Sequence, residues 1–424
     1  MKKYLFSFIA AITLSIFCFI ACVKDTVTEH YTFYRPVYET RQQVINNIKN
    51  NAPQAIQNPG KLFIKDNYFF LNDVNRGVHI IDYSNPTQPK NIGFIDIPGN
   101  VDIAVRGNYL YADCYTSLVT IDISDPSNVK LQQFINGVFP EQSYFSGMDT
   151  SKIIVSWVRV DTSVTHKFNA PSNFGGGILA EDFFAMNPSY NSGNNFSNNS
   201  QINGTGGSMA RFALLNNNMY TVSTSTSDLK IFNTTDAANP QYVQTIPLPQ
   251  HIIETIFPYQ NKLFIGSQTG MFIYDASNAN NPVLLGEFGH VQSCDPVIAD
   301  GNFAYVTLRS NSMCGGNANE LDALDITNIT NPLLINSYPL TDPHGLSKDG
   351  NLLFICDGAA GLKIFNASNA NVITPLKQIN DLDTYDVIAQ NKIAIVVATD
   401  GLYFIDYSNV QDAKIIGKIS VSKG

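Results

Sequence analysis

Short apolar runs, each closed by an acidic or amide residue, recur along the chain. Gly77 to Lys90 holds Val78-His79-Ile80-Ile81-Asp82. Ser117 to Lys130 holds Leu118-Val119-Thr120-Ile121-Asp122, then Ser124-Asp125-Pro126. Further copies close at Asn233, Asp275, Asp325, Asn366 and Asp406, so that successive intervals from Asp82 are 40, 111, 42, 50, 41 and 40 residues. A period near 40 marks a repeat architecture. The long interval predicts a degenerate copy at Tyr144 to Val160, where Lys152 to Trp157 reads as a strand.

Within the second unit, Val101 to Val105 is a strand, Gly107-Asn108 a turn, and Tyr109 to Ala112 a second strand. Leu118 to Ile123 and Lys130 to Ile135 follow as the third and fourth. These runs are short, β-branched or aromatic, and bounded by Gly, Asn, Asp, Ser and Pro, as strands are. No stretch inside the repeats keeps a helical period. The predicted fold is all-β: a β-propeller of four-stranded blades, eight by repeat count if the degenerate copy is a blade, seven if not. An open solenoid would need polar capping repeats at its ends, and none is recognisable. The closing Asp is replaced by Asn233 and Asn366, so it shapes a turn and is not required for chemistry.

The repeat resembles the LVIVD repeat family of bacterial and archaeal surface proteins, over roughly residues 60–424. Leu118-Val119-Thr120-Ile121-Asp122 with Ser124-Asp125-Pro126 is the nearest match. More narrowly, Asn75 to Asp82, Ile97 to Ala104 and Cys356-Asp357-Gly358 resemble LVIVD-repeat lipoproteins of Bacteroidetes-type bacteria. The resemblance implies a cell-surface propeller and no settled activity.

Residues 1–21 read as a lipoprotein signal peptide. Lys2-Lys3 is a basic start, Tyr4 to Ala21 is apolar, and Phe19-Ile20-Ala21-Cys22 looks like a lipobox. Cys22 would carry acyl chains such as palmitate, and lipid would hold the protein to the outer membrane of the cell envelope, with surface exposure an open alternative. The competing reading is a plain signal anchor. Lys24-Asp25 weakly resembles a surface-export tag. Residues 22–59 form the lipidated Cys and tether, in which Arg41 to Asn50 predicts a short helix with Val44, Ile45 and Ile48 on one face. Tyr31 to Tyr38 either lies on the propeller or is plain tether. The propeller spans 60–424, interrupted by an Asn-rich loop insertion at 161–208.

Loss of Lys2 and Lys3 leaves 24 basic against 35 acidic residues, a formal charge of −11. With no basic run and only 14% charged residues, a nucleic-acid partner is not expected. An exported chain meets oxidising conditions. Cys294 precedes the first strand of its unit and Cys314 follows the second, so both fall at one end of a hairpin through Gly301-Asn302. A Cys294–Cys314 disulfide is expected, while Cys114 and Cys356 read as buried structural thiols.

Residues before each first strand, and between second and third strands, share one face of a propeller. Candidates for a ligand-binding rim there are Asp102, Asp113, Glu254, Asp295, Arg309, His344, Asp357 and Asp386. Several inward carboxylates would suit a divalent cation, and Arg309 could pair a carboxylate. The alternative, and the commoner use of loop Asp, is capping of backbone amides. No nucleophile elbow, His-Glu-x-x-His, Walker loop or dinucleotide fingerprint is present, so no catalytic residue and no cofactor is assigned. The expected role is a binding scaffold for an envelope protein or extracellular glycan. A metal-assisted extracellular hydrolase or lyase centred on His344, Arg309 and the rim carboxylates is the alternative.

Overall fold

The computed structural model describes residues 26–140, 152–167, 205–223, 226–248, 252–293, 296–310 and 316–422. The chain divides into two units, a body from 38–155 and 189–424 and a smaller unit from 1–37 and 156–188.

The body is a seven-bladed β-propeller. Its blades span 59–96, 103–135, 212–247, 253–289, 297–339, 346–379 and 384–420, and each is an antiparallel four-stranded meander. Inner and middle strands are buried along most of their length on both faces, whereas fourth strands alternate or face solvent. That gradient explains why the second and third strands carry the most apolar runs. Seven blades, not eight, are formed. Lys152–Lys167 is a strand, but it pairs with Thr26–Thr40 and not with a blade.

The repeated polar turn has the same chemistry in all seven blades. The closing side chain accepts the backbone N–H two residues on: Asp82 from Ser84, Asp122 from Ser124, Asn233 from Thr235, Asp275 from Ser277, Asp325 from Thr327, Asn366 from Ser368 and Asp406 from Ser408, at 2.7–3.0 Å. Only one side-chain oxygen is used, which is why Asn substitutes freely for Asp. Three to four residues before each such Ser or Thr, a bulge shifts the register between third and fourth strands in every blade. Blades are also joined sideways: the Tyr111 hydroxyl donates to the carbonyl of Ala237, and that of Tyr220 to the carbonyl of Ala279.

Ring closure does not use a blade of mixed origin. Residues 49–56, expected as tether, run instead as a belt over three outer edges. Lys49 bridges Lys130, Asn51 bridges Phe94, and Ile56 pairs in parallel with Val421, whose neighbour Ser422 donates to the Ile56 carbonyl at 2.8 Å. The helix α1, Arg41–Asn47, leads into this belt. Thr40 caps it, accepting from Gln43 N while the Gln43 side chain accepts from Thr40 N. Its Val44, with Ile48 just beyond it, is buried in the core of blades 1 and 2, while Ile45 is half-exposed. At the seam itself, Phe69 packs against Tyr83 and against Phe404 of blade 7.

The two strands Thr26–Thr40 and Lys152–Lys167 pair as a two-stranded antiparallel ribbon, of which 26–37 and 156–167 belong to the smaller unit. Thr28 faces Thr165, His30 faces Ser163, and Thr32 donates to Asp161. Of the predicted insertion, 161–167 is thus strand and 205–208 belongs to the body, and 168–204 lies outside the described residues.

Candidate functional site

Strand register places one residue per blade at the entry to the inner strands: Lys61, Asp102, Arg211, Thr255, Pro296, Gly345 and Asp386. Around the axis, blades 7, 1, 2 and 3 therefore contribute Asp386, Lys61, Asp102 and Arg211, an arc of alternating sign. Asp102 and Asp386 each accept the N–H of the following residue, Ile103 at 2.7 Å and Val387 at 2.9 Å.

The axis is crossed by the chain itself. Thr205–Gly206 adds a fifth strand to the inner edge of blade 1. The following residues then touch four blades. Lys61 Nζ donates to the Met209 carbonyl at 2.5 Å, Arg211 N to Asp102 Oδ2 at 2.5 Å, Ile256 N to the Ala210 carbonyl at 2.9 Å, and Leu346 N to Ser208 Oγ at 2.7 Å. Ser208, Met209 and Ala210 are buried. Burial lowers the Lys61 pKa to about 8 against the pull of Asp102, and burial raises that of Asp102. A buried ammonium, a carboxylate and backbone hydrogen bonds thus hold the crossing segment.

A second group gathers from blades 4 to 7. His344 Nε2 lies 3.2 Å from Asp342 Oδ2, and Arg309 Nη1 lies 3.9 Å from the other oxygen of that carboxylate. The Tyr385 ring meets the His344 ring edge-on at 5.2 Å. Gln268 donates to Glu254 at 3.1 Å, and Glu254 acts on Arg309 through charge. His344 is buried, which lowers its pKa and favours the neutral ring, while its hydrogen bond holds Asp342 below the usual carboxylate range. With Nε2 donating to Asp342, Nδ1 is left as an acceptor, and among the described residues it has no hydrogen-bond partner. Gly358, at φ 54°, lets this carboxylate approach: an added Cβ would stand 2.7 Å from Asp342 Oδ2.

The remaining predicted rim residues do other work. Asp113 Oδ1 accepts from Val101 N, Asp102 N and Asn100 Nδ2, and burial lifts its pKa to about 6. Asp357 accepts from Thr341 N and Asp342 N and pairs with Lys363 at 2.5 Å. Asp73 stands in the same relation to Gln57 N and Asn58 N, and adds Arg76 and His79. All three are turn caps. His79 is wholly buried, between Asp73 and Asn91. Cys114 and Cys356 are buried free thiols whose pKa burial pushes up. Cys22, Cys294, Asp295 and Cys314 lie outside the described residues. Among the described residues no three His, Cys, Asp or Glu side chains converge as a metal site, and no helix is long and apolar enough to cross a membrane.

Sequence reading missed Lys61, Arg211, Asp342 and Tyr385. Lys61 was findable, since it stands one residue before Leu62 as Asp102 stands before Ile103. Arg211 was not, because its strand follows the insertion and carries no intact repeat phrase.

The fold and its repeated turn define a seven-bladed propeller of repeat type. The LVIVD repeat is matched at residues 60–96, 99–136 and 292–339, so the chain carries LVIVD repeats in blades 1, 2 and 5. No curated protein matches it in sequence. Among solved structures, a protein from Lactobacillus plantarum is similar with 11% identity and a TM-score of 0.56, over 86% of this chain and 98% of that one. A periplasmic gluconolactonase of Pseudomonas aeruginosa, PpgL, has 10% identity and a TM-score of 0.52, over 82% and 93%. The computationally designed Ika8 protein has 9% identity and a TM-score of 0.51, over 88% and 90%. At such identities the likeness is one of fold.

Proposed function

We propose that this chain is a lipid-anchored protein of the bacterial cell envelope whose propeller serves as a binding scaffold. The signal segment and the lipobox ending at Cys22 support the anchor. The observation that carries the scaffold reading is the axial crossing by residues 205–211, bonded to blades 1, 2, 4 and 6. With the axis crossed by the chain, recognition falls to the loop face, where Glu254, Asp342 and Tyr385 are partly exposed and are backed by the buried Gln268, Arg309 and His344, six residues from four blades. A mixed set of one guanidinium, carboxylates, an imidazole and a phenol suits a polar protein surface, with an extracellular glycan as the other ligand class. Tagged protein should be captured from cross-linked intact cells beside a control carrying the tether alone. One envelope protein at stoichiometric yield, lost in the Arg309→Ala/Tyr385→Ala chain, is the expected result. Recovery unchanged by those substitutions, or nothing beyond the tether control, overturns the reading.

A second reading, a hydrolase or lyase at the same rim, draws on the His344–Asp342 pair. A neutral, carboxylate-oriented imidazole is the arrangement a general base needs. Turnover of any glycan or ester by the wild-type chain that is abolished in His344→Gln would favour it.

A further inference from the structure

We propose that the ribbon Thr26–Thr40 with Lys152–Lys167 lies in the interface of the lipid bilayer, as a second membrane contact beside the acyl chains on Cys22. This rests on the lipid-anchor reading above. Residues 28–35, 156–159 and 161–165 are all exposed, including Tyr31 at 45%, Phe33 at 36%, Val158 at 43% and Val164 at 42%. Ile154 is buried and Ile153 and Val155 pack on the blade core, but a two-stranded ribbon left exposed beyond them is marginal in water.

The register shows which face needs covering. Thr28 and Thr165, His30 and Ser163, and Thr32 and Asp161 are cross-strand neighbours. Because side chains alternate, these polar pairs share one face. The other face carries Tyr31 and Phe33 from one strand, and Val158, Val160 and Val164 from the other, among Glu29, Arg35 and Thr162. The polar-pair face holds two large apolar rings, Tyr34 and Trp157, so the apolar side chains are concentrated on one face without being confined to it.

Chain length says what lies against it. Thr26 is four residues beyond Cys22, and an extended chain covers about 3.5 Å per residue. The ribbon thus begins within about 14 Å of the acylated residue and cannot leave the bilayer surface at that end. Its composition fits that depth. Tyr and Phe rings favour the headgroup level, and the exposed Arg35 and Arg159 can extend to the phosphates. Among the described residues, each strand has one edge without a strand partner. Hydrated headgroups satisfy those N–H and C=O groups and hydrocarbon would not, so the ribbon lies at the interface and does not insert.

Trp157 is the chain's single tryptophan and falls on the polar-pair face. The acylated full-length protein would be placed in phosphatidylethanolamine–phosphatidylglycerol vesicles, with lipids brominated near the glycerol. Two chains are compared: wild type, and Trp157→Phe/Tyr31→Trp, which moves the fluorophore to the apolar face. Quenching in the second should exceed that in the first by about twofold, as an interfacial amphipathic element requires. Equal quenching, or none, overturns the ribbon proposal. In parallel, cells are labelled with an alkynyl fatty acid. Label lost in Cys22→Ala upholds the anchor whatever the quenching shows, and an unlabelled wild type overturns the anchor and the ribbon proposal with it.

Discussion

The seven blades and the two-stranded ribbon are both antiparallel β-structure, yet they are stabilised in opposite ways. In a blade, second and third strands are enclosed by neighbouring blades, and Phe69, Phe264, Phe354 and Phe404 have no exposed surface. In the ribbon, Tyr31, Phe33, Val158 and Val164 are exposed, and the Thr28–Thr165, His30–Ser163 and Thr32–Asp161 hydrogen bonds between its strands join exposed side chains. The same strand-forming residue types thus make a core in one place and an uncovered surface in the other. Alternation and propensity set strand formation; only stacking of blade on blade converts it into burial.

The sharpest test of that contrast is a seam residue. Phe69→Ala removes a ring packed across blades 1 and 7 and should cost about 3–5 kcal/mol, read from denaturant midpoints. A loss under about 1 kcal/mol would mean that the seam is not tightly closed. Asp73→Ala should fall in the same range, about 3–5 kcal/mol. It removes at once the acceptor of the buried His79 Nε2, of the Gln57 and Asn58 amides, and the carboxylate partner of Arg76, which keeps Gln54 and the Ala55 carbonyl.

A smaller effect separates capping carboxylates from interacting ones. Asp113 titrates at about 6 because burial outweighs its three accepted hydrogen bonds. Its folded form therefore holds a proton more tightly than the unfolded chain. That contribution is complete below about pH 4, and is lost as the pH rises through 6. Asp113→Asn should flatten the fall in melting temperature between pH 4.5 and 7. An unchanged slope would show that other groups set it.

Smaller again are the repeated turns. Asp122→Ala should cost about 1 kcal/mol through the lost hydrogen bond to Ser124 N, whereas Asp122→Asn should be close to neutral. Equal losses would give the carboxylate charge a role that Asn233 and Asn366 lack. Smallest is the ribbon. Phe33→Ala should change stability in lipid-free solution by less than about 0.5 kcal/mol. Ribbon amides should also exchange far faster than those of the blade interiors, as measured by hydrogen exchange.

Much of the site was legible in outline. The repeat phase placed Asp102, Asp386, Arg309 and His344 on one face, because strand alternation and a fixed meander put every first-strand entry at the same end. It could not separate their roles. Asp113 and Asp357 look like Asp102 in sequence, and only the positions of Val101 N and Thr341 N make them caps. Asp342 was passed over beside His344 because its hydrogen bond to the ring depends on the sharp turn at Gly358.

Local chemistry, written in the sequence, determined the blade: four short strands, a bulge, and a side-chain-capped turn that works with Asp or Asn alike. These are contacts over a few residues, so a period of 40 records them faithfully. Three matters were decided by tertiary structure alone. The strand at Lys152–Lys167 pairs with Thr26–Thr40 instead of forming an eighth blade, residues 49–56 fasten the ring from outside, and residues 205–211 cross its axis. Each joins partners more than 40 residues apart, and its stabilisation comes from groups that no repeat phrase encodes: the edge of Phe94, the amide of Leu346 and the buried ammonium of Lys61.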